Sequence, residues 1–327
     1  MVQLIRARFA NARLAAGVFI CALLPGCALV IPQTSQLHDT WPEGLAQHAE
    51  VEGVPFFPQE ELLCGPTALA TALAAAGAHV TPGDLVASVY LPGRRGALQV
   101  EMLAAPRTRG FVSYRLEPRL EDVLREIAAG NAVVVLQDFG VWPFHLWHYA
   151  VAVGFDRDRG MVVMRSGTHE RQAAPFGALE YTWKESGYWS MVVLPPGRVP
   201  VTANEARYLE AVAAAARVSG AKAAALAYEG LLERWPADVG AAVGLANVRY
   251  GSGDLAGAEK ALRSGLERSP SATPLLNNLA QVLSDEGRND EALRTIDAAQ
   301  RAPGPFAAEL AKTRDTILER MGKAAAK

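Results

Sequence analysis

The chain has 327 residues, half of which are hydrophobic, and a formal net charge of −2. This length is enough for two ordinary domains that each bury a core of their own. The near-neutral charge gives no electrostatic reason to expect a nucleic-acid partner. The high apolar fraction also excludes a largely disordered chain.

The first 27 residues predict an export signal. Arginines precede the apolar stretch LAAGVFICALLPG, which has the length of a signal-peptide core rather than of a membrane span. The stretch ends in LPGC, which resembles the lipobox of bacterial lipoproteins. That resemblance implies that Cys27 is diacylated and becomes the mature N-terminus, and that Ala28 directs the protein to the outer membrane. The alternatives are an ordinary cleaved signal peptide and an uncleaved anchor.

The mature chain would then keep a single thiol. Cys21 leaves with the signal and Cys27 carries lipid, so Cys64 has no disulfide partner within the chain. An unpaired cysteine in an exported protein indicates either a reactive thiol or a small buried hydrophobic side chain.

Residues 28–53 are predicted to form a tether, and residues 54–194 a globular domain. Four helices are predicted first in this domain, at CGPTALATALAAAG, TPGDLVASVY, LQVEMLAAPRTRG and RLEDVLREIAAG. Four Val-rich strands follow, at NAVVVLQDF, HYAVAVGF, GMVVMRS and YWSMVVLP. Helices followed by antiparallel strands predict an α+β domain.

A Pro-rich break at residues 195–204 is predicted to be a linker to a helical region at 205–327. The segments AKAAALAYEGLLERWP, LAGAEKALRSGLERSP and DEALRTIDAAQRAPGP repeat there with a period of 34 residues. Small residues align in the three copies, and so do bulky ones: Ala224, Ala258 and Ala292; Tyr228, Leu262 and Ile296. The pattern resembles the tetratricopeptide repeat, and about three copies suffice for a continuous core. An unrelated Ala-rich helical bundle is the alternative.

Cys64 is predicted to begin a helix, because Pro66 suits the first turn, where its missing N–H is not needed. At a helix N-terminus the unpaired N–H groups and the helix dipole favour the thiolate, which is the nucleophilic form. A cysteine nucleophile also needs a general base. His148, which opens the strand HYAVAVGF, is the preferred candidate, and His145 in the irregular segment VWPFHLW is its competitor.

Gln59 lies five residues before the cysteine. This spacing allows its amide N–H, together with the backbone N–H of Cys64, to stabilise an oxyanion. The alternative is a solvated loop residue without a chemical role.

The segments VPFFPQEELLCGPTALATAL and HYAVAVGFDRDRGMVVMRSG resemble the papain-like bacteriocin-processing, or double-glycine-leader, cysteine peptidase family. The resemblance covers about residues 54–194. It implies a papain-like fold in which Cys64 is the nucleophile, His148 the general base and then acid, and Gln59 part of the oxyanion hole.

Members of that family usually carry an aspartate that orients the imidazole, and Ser166 stands in its place here. A serine accepts a hydrogen bond from the ring but gives the imidazolium no compensating charge. The sequence therefore predicts either a Cys–His dyad oriented by Ser166 or a different third residue, for which Asp138 and Glu170 are candidates. The departure also predicts low or lost activity as an alternative.

No cofactor and no metal site are predicted, since Cys and His do not cluster with ligand spacing and a phosphate-binding GxxxxGK[ST] motif is missing. The sequence thus predicts an exported, lipid-anchored cysteine peptidase on the periplasmic side, with a peptide or protein substrate. Its repeats would recruit that substrate or a protein partner. The alternatives are an inactive scaffold that acts through its repeats, and a thiol-dependent cell-wall amidase or acyltransferase.

Overall fold

The computed structural model describes residues 31–59, 62–141, 143–301 and 304–325. The predicted signal peptide and lipobox, including Cys27, lie outside these residues and stay predictions. Within the described residues, no helix is both long enough and apolar enough to cross a membrane.

The N-terminal domain is built of α-helices and antiparallel β-strands. Its described helices are α1 (Pro32–Asp39), α2 (Cys64–Ala75), α3 (Gly83–Val89), α4 (Gln99–Arg107), α5 (Leu120–Ala128) and α6 (Phe176–Trp183). Its described strands are β1 (His48–Glu50), β2 (Val112–Arg115), β3 (Val133–Asp138), β4 (Trp147–Asp156), β5 (Met161–Ser166), β6 (His169–Pro175) and β7 (Ser190–Leu194). The α+β class predicted from the sequence is confirmed.

The strands form one sheet in the order β2-β7-β3-β4-β5-β6, and β1 pairs with the far end of β4. Every residue of β3 is buried, although side chains alternate between the two faces of a strand. Both faces of the sheet centre are therefore covered, which explains why VVVL is a continuous apolar run. Helix α2 packs on β4, and α5 and α6 pack on β4 and β3 respectively.

Helix α2 is a core helix. All residues from 65 to 73 are buried, and Leu69 and Leu73 have no exposed surface. Burial of each leucine side chain contributes about 1.5–3 kcal/mol to stability. This packing fixes the helix against β4 and thereby fixes the position of its first residue, Cys64.

The predicted tether at residues 28–53 is wrong for its described part. Helix α1 and strand β1 lie there, and Leu37 and Leu45 are buried. The carboxylate of Glu180 in α6 accepts hydrogen bonds from the backbone N–H groups of Gln33 (2.9 Å) and Thr34 (2.6 Å). The segment therefore belongs to the folded domain, because its apolar residues and helix N-terminus have partners on α6 and β4.

The C-terminal region is a solenoid of paired helices. Its described helices are α7 (Glu205–Ala216), α8 (Ala221–Arg234), α9 (Val239–Gly251), α10 (Leu255–Arg268), α11 (Thr273–Asp285), α12 (Asn289–Gln300) and α13 (Ala307–Ala325). Consecutive helices pack on each other from α7 to α13. The residues that align at the 34-residue period are all buried: Ala224, Ala258, Ala292, Tyr228, Leu262 and Ile296.

The two domains meet at a polar joint. Glu126 of α5 is fully buried, and its carboxylate accepts hydrogen bonds from the backbone N–H (2.8 Å) and the hydroxyl (2.6 Å) of Thr202 and from the side-chain amide of Asn131 (2.6 Å). Gly230 of α8 lies so close to Gly197 that a Cβ there would be 2.2 Å from the Gly197 oxygen. The Pro-rich segment 195–204 thus packs against both domains.

Replacing Glu126 with alanine is expected to lower the free energy of unfolding by about 3 kcal/mol, because one buried donor and two partly buried donors lose their acceptor. Limited proteolysis at residues 195–204 should accelerate as well. Glu121→Ala on the same helix is the control, since it breaks a partly exposed ion pair with Arg125 and should cost about 0.5 kcal/mol or less. Urea denaturation curves of equal midpoint for the two variants would contradict this account of the joint.

Candidate active site

The single described thiol lies at the start of α2. Cys64 is the first residue of the helix, Pro66 occupies its first turn, and the N–H of Thr67 donates the first helical hydrogen bond to the carbonyl of Leu63 (3.0 Å). The side chain of Cys64 is half-buried and forms no disulfide. The first N–H groups of a helix lack intrahelical acceptors, so they are available to stabilise negative charge at this end.

The backbone around Cys64 is tightly constrained. Leu62 has a φ of +69°, a left-handed conformation that is costly for a residue with a branched side chain. A Cβ on Gly65 would lie 2.5 Å from the Cβ of Ala97, so only glycine fits directly after the cysteine. The Cys-Gly-Pro sequence therefore allows close packing at the helix start, in addition to supplying the thiol.

His148 and Ser166 lie side by side on adjacent strands. His148 is the second residue of β4, Ser166 ends β5, and Nε2 of the ring lies 3.0 Å from Oγ of the serine. With Nε2 engaged by the serine, Nδ1 is the ring nitrogen left for proton exchange with a thiol. Burial lowers the pKa of His148 below its ordinary value, which favours the neutral, basic imidazole.

Gln59 joins the segment before the cysteine to this pair of strands. Its Nε2 donates to the carbonyl of Tyr149 (3.1 Å), and its Oε1 accepts from the N–H of Gly167 (3.0 Å). Tyr149 and Gly167 directly follow His148 and Ser166 in the chain. One of the two amide N–H groups of Gln59 is thus engaged, and the other is available for the predicted role at an oxyanion.

Tyr149 on the same strand lies near the start of α2, and sequence reasoning missed it. Its hydroxyl lies 3.4 Å from the carbonyl of Ala97, the residue that packs on Gly65. Burial raises the pKa of Tyr149 well above its ordinary value, and electrostatic interaction with the nearby Cys64 and Glu101 adds to this effect. The adjacent pair His-Tyr at the start of a strand was the available signal. Within the described residues, no hydrogen bond joins Cys64 to the ring of His148.

The competing histidine has a carboxylate partner of its own. Nδ1 of His145 lies 2.5 Å from Oδ2 of Asp138, and the other carboxylate oxygen accepts from the N–H groups of Gly140 (2.9 Å) and Leu146 (2.8 Å). Burial raises the pKa of Asp138, but these hydrogen bonds more than offset it, so the pKa lies below its ordinary value. Asp138 therefore pairs with His145 and not with His148.

Ser166, Asp138 and Glu170 were the candidate partners of His148, and Ser166 is the one that contacts it. Glu170 is exposed on β6, where its backbone carbonyl accepts from Arg165 (2.7 Å). In the described part of the chain, Gln59, His148 and Ser166 thus lie at one end of β4 and β5. The hydroxyl of Tyr149 contacts Ala97, which packs on Gly65 directly after Cys64. This arrangement supplies the groups that thiol-dependent acyl transfer requires: a nucleophile, a base and polar N–H donors.

The depressed pKa of His148 makes stability depend on pH. In the unfolded chain the ring binds a proton near pH 6.5, whereas in the folded protein the partly buried ring binds it only at lower pH. The stability present above pH 6.5 is therefore lost as the pH falls through the folded-state pKa. The unfolding free energy of the wild type should therefore fall more between pH 7.5 and pH 5 than that of His148→Gln. Urea titrations at both pH values measure this difference. An equal fall in unfolding free energy in the two proteins would contradict the prediction.

Two stretches of the chain match known families. Residues 51–191 match the Peptidase_C39 like family, and residues 249–311 match the tetratricopeptide repeat. The chain therefore carries a C39-like peptidase domain followed by tetratricopeptide repeats. The first match contains Cys64, His148 and Ser166, and the second begins near the end of α9.

Solved structures similar to this chain include a C39-like peptidase from Bacillus anthracis, 17% identical, over 46% of this chain and 98% of that one, with a TM-score of 0.39. The peptidase domain of Streptococcus ComA, a bifunctional ABC transporter, is 14% identical over 43% and 98%, with a TM-score of 0.36. A double-glycine-motif protease of an AMS/PCAT transporter, in complex with its leader peptide, is 19% identical over 44% and 93%, with a TM-score of 0.34. No curated protein matches the chain.

Proposed function

We propose that this chain is an exported, lipid-anchored cysteine peptidase whose repeats recruit a substrate or a protein partner. The observation that carries the proposal is the hydrogen bond between His148 and Ser166 at 3.0 Å, which leaves Nδ1 for the thiol. The position of Cys64 at the start of α2 and the bridge from Gln59 to the same strands support it.

The reaction follows from these groups. His148 takes the proton of the Cys64 thiol, and the thiolate sulfur attacks the carbonyl carbon of the peptide bond. The negative charge that develops on the carbonyl oxygen is stabilised by the backbone N–H of Cys64 and the second amide N–H of Gln59. The imidazolium then protonates the leaving amine, and the C–N bond breaks to leave a thioester at Cys64. A water molecule, deprotonated by His148, hydrolyses the thioester and restores the thiol.

The repeats supply a surface on which a protein could be held next to the peptidase domain. A groove of about 360 Å³ lies between α8, α9 and α10, and basic as well as acidic side chains line it, among them Glu229, Glu233, Lys260 and Arg268. Because residues 195–204 pack against both domains, a partner in this groove would be held at a defined distance from Cys64.

The peptidase activity is tested by exposing a periplasmic proteome to the wild type or to Cys64→Ala. The new protein N-termini in the two samples are then compared. Termini that appear with the wild type alone are expected. Fragments released from purified peptidoglycan without new protein termini would instead identify a cell-wall amidase or acyltransferase. Anchoring is tested separately, since Cys27→Ala is expected to release the protein from the membrane fraction.

A second candidate, a scaffold with a catalytically weak peptidase-like domain, is favoured by one observation. Ser166 gives His148 a hydrogen bond but no negative charge. In that case Cys64→Ala would keep the cellular phenotype of the wild type, whereas deletion of residues 205–327 would lose it. The peptidase proposal predicts that both variants lose it.

A further inference from the structure

The hairpin that joins β3 to β4 exposes an unusual amount of apolar surface. We call residues 139–141 and 143–147 the apolar hairpin; its large exposed hydrophobic residues are Phe139, Val141, Phe144, Leu146 and Trp147. Phe144 is 81% exposed and Trp147 is 44% exposed. The segment contains no Lys, Arg, Asp or Glu. A contiguous exposed patch of this kind marks a surface that binds another molecule.

Hydrogen bonds hold the apolar hairpin in one shape. The N–H of Phe139 donates to the carbonyl of Leu146 (3.0 Å), and the N–H of Phe144 donates to the carbonyl of Val141 (2.7 Å). Asp138 binds both sides of the hairpin, through the N–H groups of Gly140 and Leu146. The apolar hairpin therefore presents its side chains to solvent from a preorganised backbone, which lowers the entropic cost of binding.

The apolar hairpin continues directly into the candidate active site. The ring of Phe139 lies 5.6 Å from the ring of His148, and Trp147 is the residue before His148. Trp147 in turn stacks on His145 at 5.2 Å. A polypeptide that passes the thiol with its scissile bond near His148 would thus lay its neighbouring side chains on the hairpin.

We propose that the apolar hairpin determines substrate specificity by binding bulky apolar side chains of the peptide beside the scissile bond. This rests on the proposed peptidase function and deepens it. Transfer of one such side chain from water to an apolar surface favours binding by about 1.5–3 kcal/mol when burial is complete. Partial burial against an open hairpin corresponds to a preference of about tenfold over a small polar side chain.

A lipid bilayer is the less suitable occupant. Ile31 packs on Gly177, and the neighbouring Phe176 bonds Gly160, just beyond the far end of β4. The ten residues of β4 separate that end from the apolar hairpin, a span of about 30 Å. The proposed anchor Cys27 lies four residues before Ile31 in the chain. Ile31, the first described residue after the proposed anchor, thus lies at the end of β4 opposite the apolar hairpin.

The test uses two peptidyl acyloxymethyl ketones that carry phenylalanine or serine in the two positions before the reactive carbonyl. The rate at which each modifies Cys64 in the full chain is followed by intact-protein mass. We expect the phenylalanine probe to react about tenfold faster than the serine probe. In Phe144→Ser/Leu146→Ser this ratio should fall to about threefold or less, while modification by iodoacetamide, which has no side chain to place, stays unchanged.

The control is Val218→Ser/Leu226→Ser, which removes two exposed apolar residues from the solenoid and should keep the tenfold ratio. Equal rates for the two probes in the wild type would overturn this proposal. The peptidase function would still stand if the rate of Cys64 modification by iodoacetamide depended on His148. A Cys64 that reacts with iodoacetamide as a free thiol, with no dependence on His148, would overturn both. An unchanged ratio together with loss of binding to phosphatidylethanolamine vesicles would identify the apolar hairpin as a membrane contact, and would also overturn it.

Discussion

Replacing His148 with alanine is expected to lower the rate of peptide cleavage about 10³-fold, because the variant loses the group that moves the proton from thiol to leaving amine. The side chain is partly buried beside Ser166 at the end of β4, so its removal also disturbs the local packing. His148→Gln preserves most of the volume and should show the same loss with less change in stability. Steady-state cleavage of a substrate found by the N-terminal comparison measures both.

His145→Ala is the matched control for this loss. His145 lies three residues away and has a carboxylate partner in Asp138, so it is the competing base. If His148 is the base, removal of His145 should change kcat by about threefold or less. A 10³-fold loss in His145→Ala, with little effect in His148→Ala, would transfer the role to the His145–Asp138 pair and contradict the site described above.

Replacing Ser166 with aspartate is expected to raise kcat/KM about tenfold. A carboxylate at this position would face Nε2 of His148, stabilise the imidazolium, and raise the pKa that burial has lowered. Ser166→Ala should have the opposite effect and lower kcat/KM about tenfold, since the ring loses its orienting hydrogen bond. The ring titration of His148, followed by NMR, reports the pKa change independently of cleavage.

Thr168→Asp supplies a control for added charge. It places the same carboxylate two residues further along, at an exposed position in the turn after β5. Cleavage and the His148 titration should stay near their wild-type values there. A Ser166→Asp variant that cleaves no faster than the wild type, although the pKa of His148 has risen, would show that the missing negative charge beside His148 does not limit the reaction.

The sequence predicted the elements whose local pattern agrees with their environment. Helix α2 is a long apolar run with proline in its first turn, and β3, β4, β5 and β7 are Val-rich segments in the sheet. The solenoid helices follow from the 34-residue period of small and bulky residues. In each case burial, chain geometry and residue preference favour the same structure.

The missed elements owe their structure to distant partners. Strand β6 reads HERQAAP, a polar segment that is extended because it pairs with β5 at the edge of the sheet. Strand β1 has three residues and is defined by its pairing with residues 154–156 of β4. Helix α1 was assigned to a tether, and it is held by the carboxylate of Glu180, almost 150 residues away in the chain.

In the candidate site, too, some features follow from the local sequence and others depend on distant partners. The spacing around Cys64 and the strand position of His148 are local features, and both could be predicted. Gln59 was predicted to face an oxyanion, but its contacts with Tyr149 and Gly167 span 90 and 108 residues and could not be predicted from its neighbours. The choice of Ser166 over Asp138 likewise depends on long-range strand pairing: Ser166 ends β5 and approaches the ring of His148, whereas Asp138 ends β3 and binds His145.

The central claim is that the sulfur of Cys64 is activated by the imidazole of His148. The most direct measurement is the rate of alkylation of Cys64 by iodoacetamide at pH 7, compared with free cysteine, in the wild type and in His148→Ala. We predict that the wild-type thiol reacts at least about tenfold faster than free cysteine, and that the variant loses this advantage. Equal rates in the wild type, the variant and free cysteine would contradict the account.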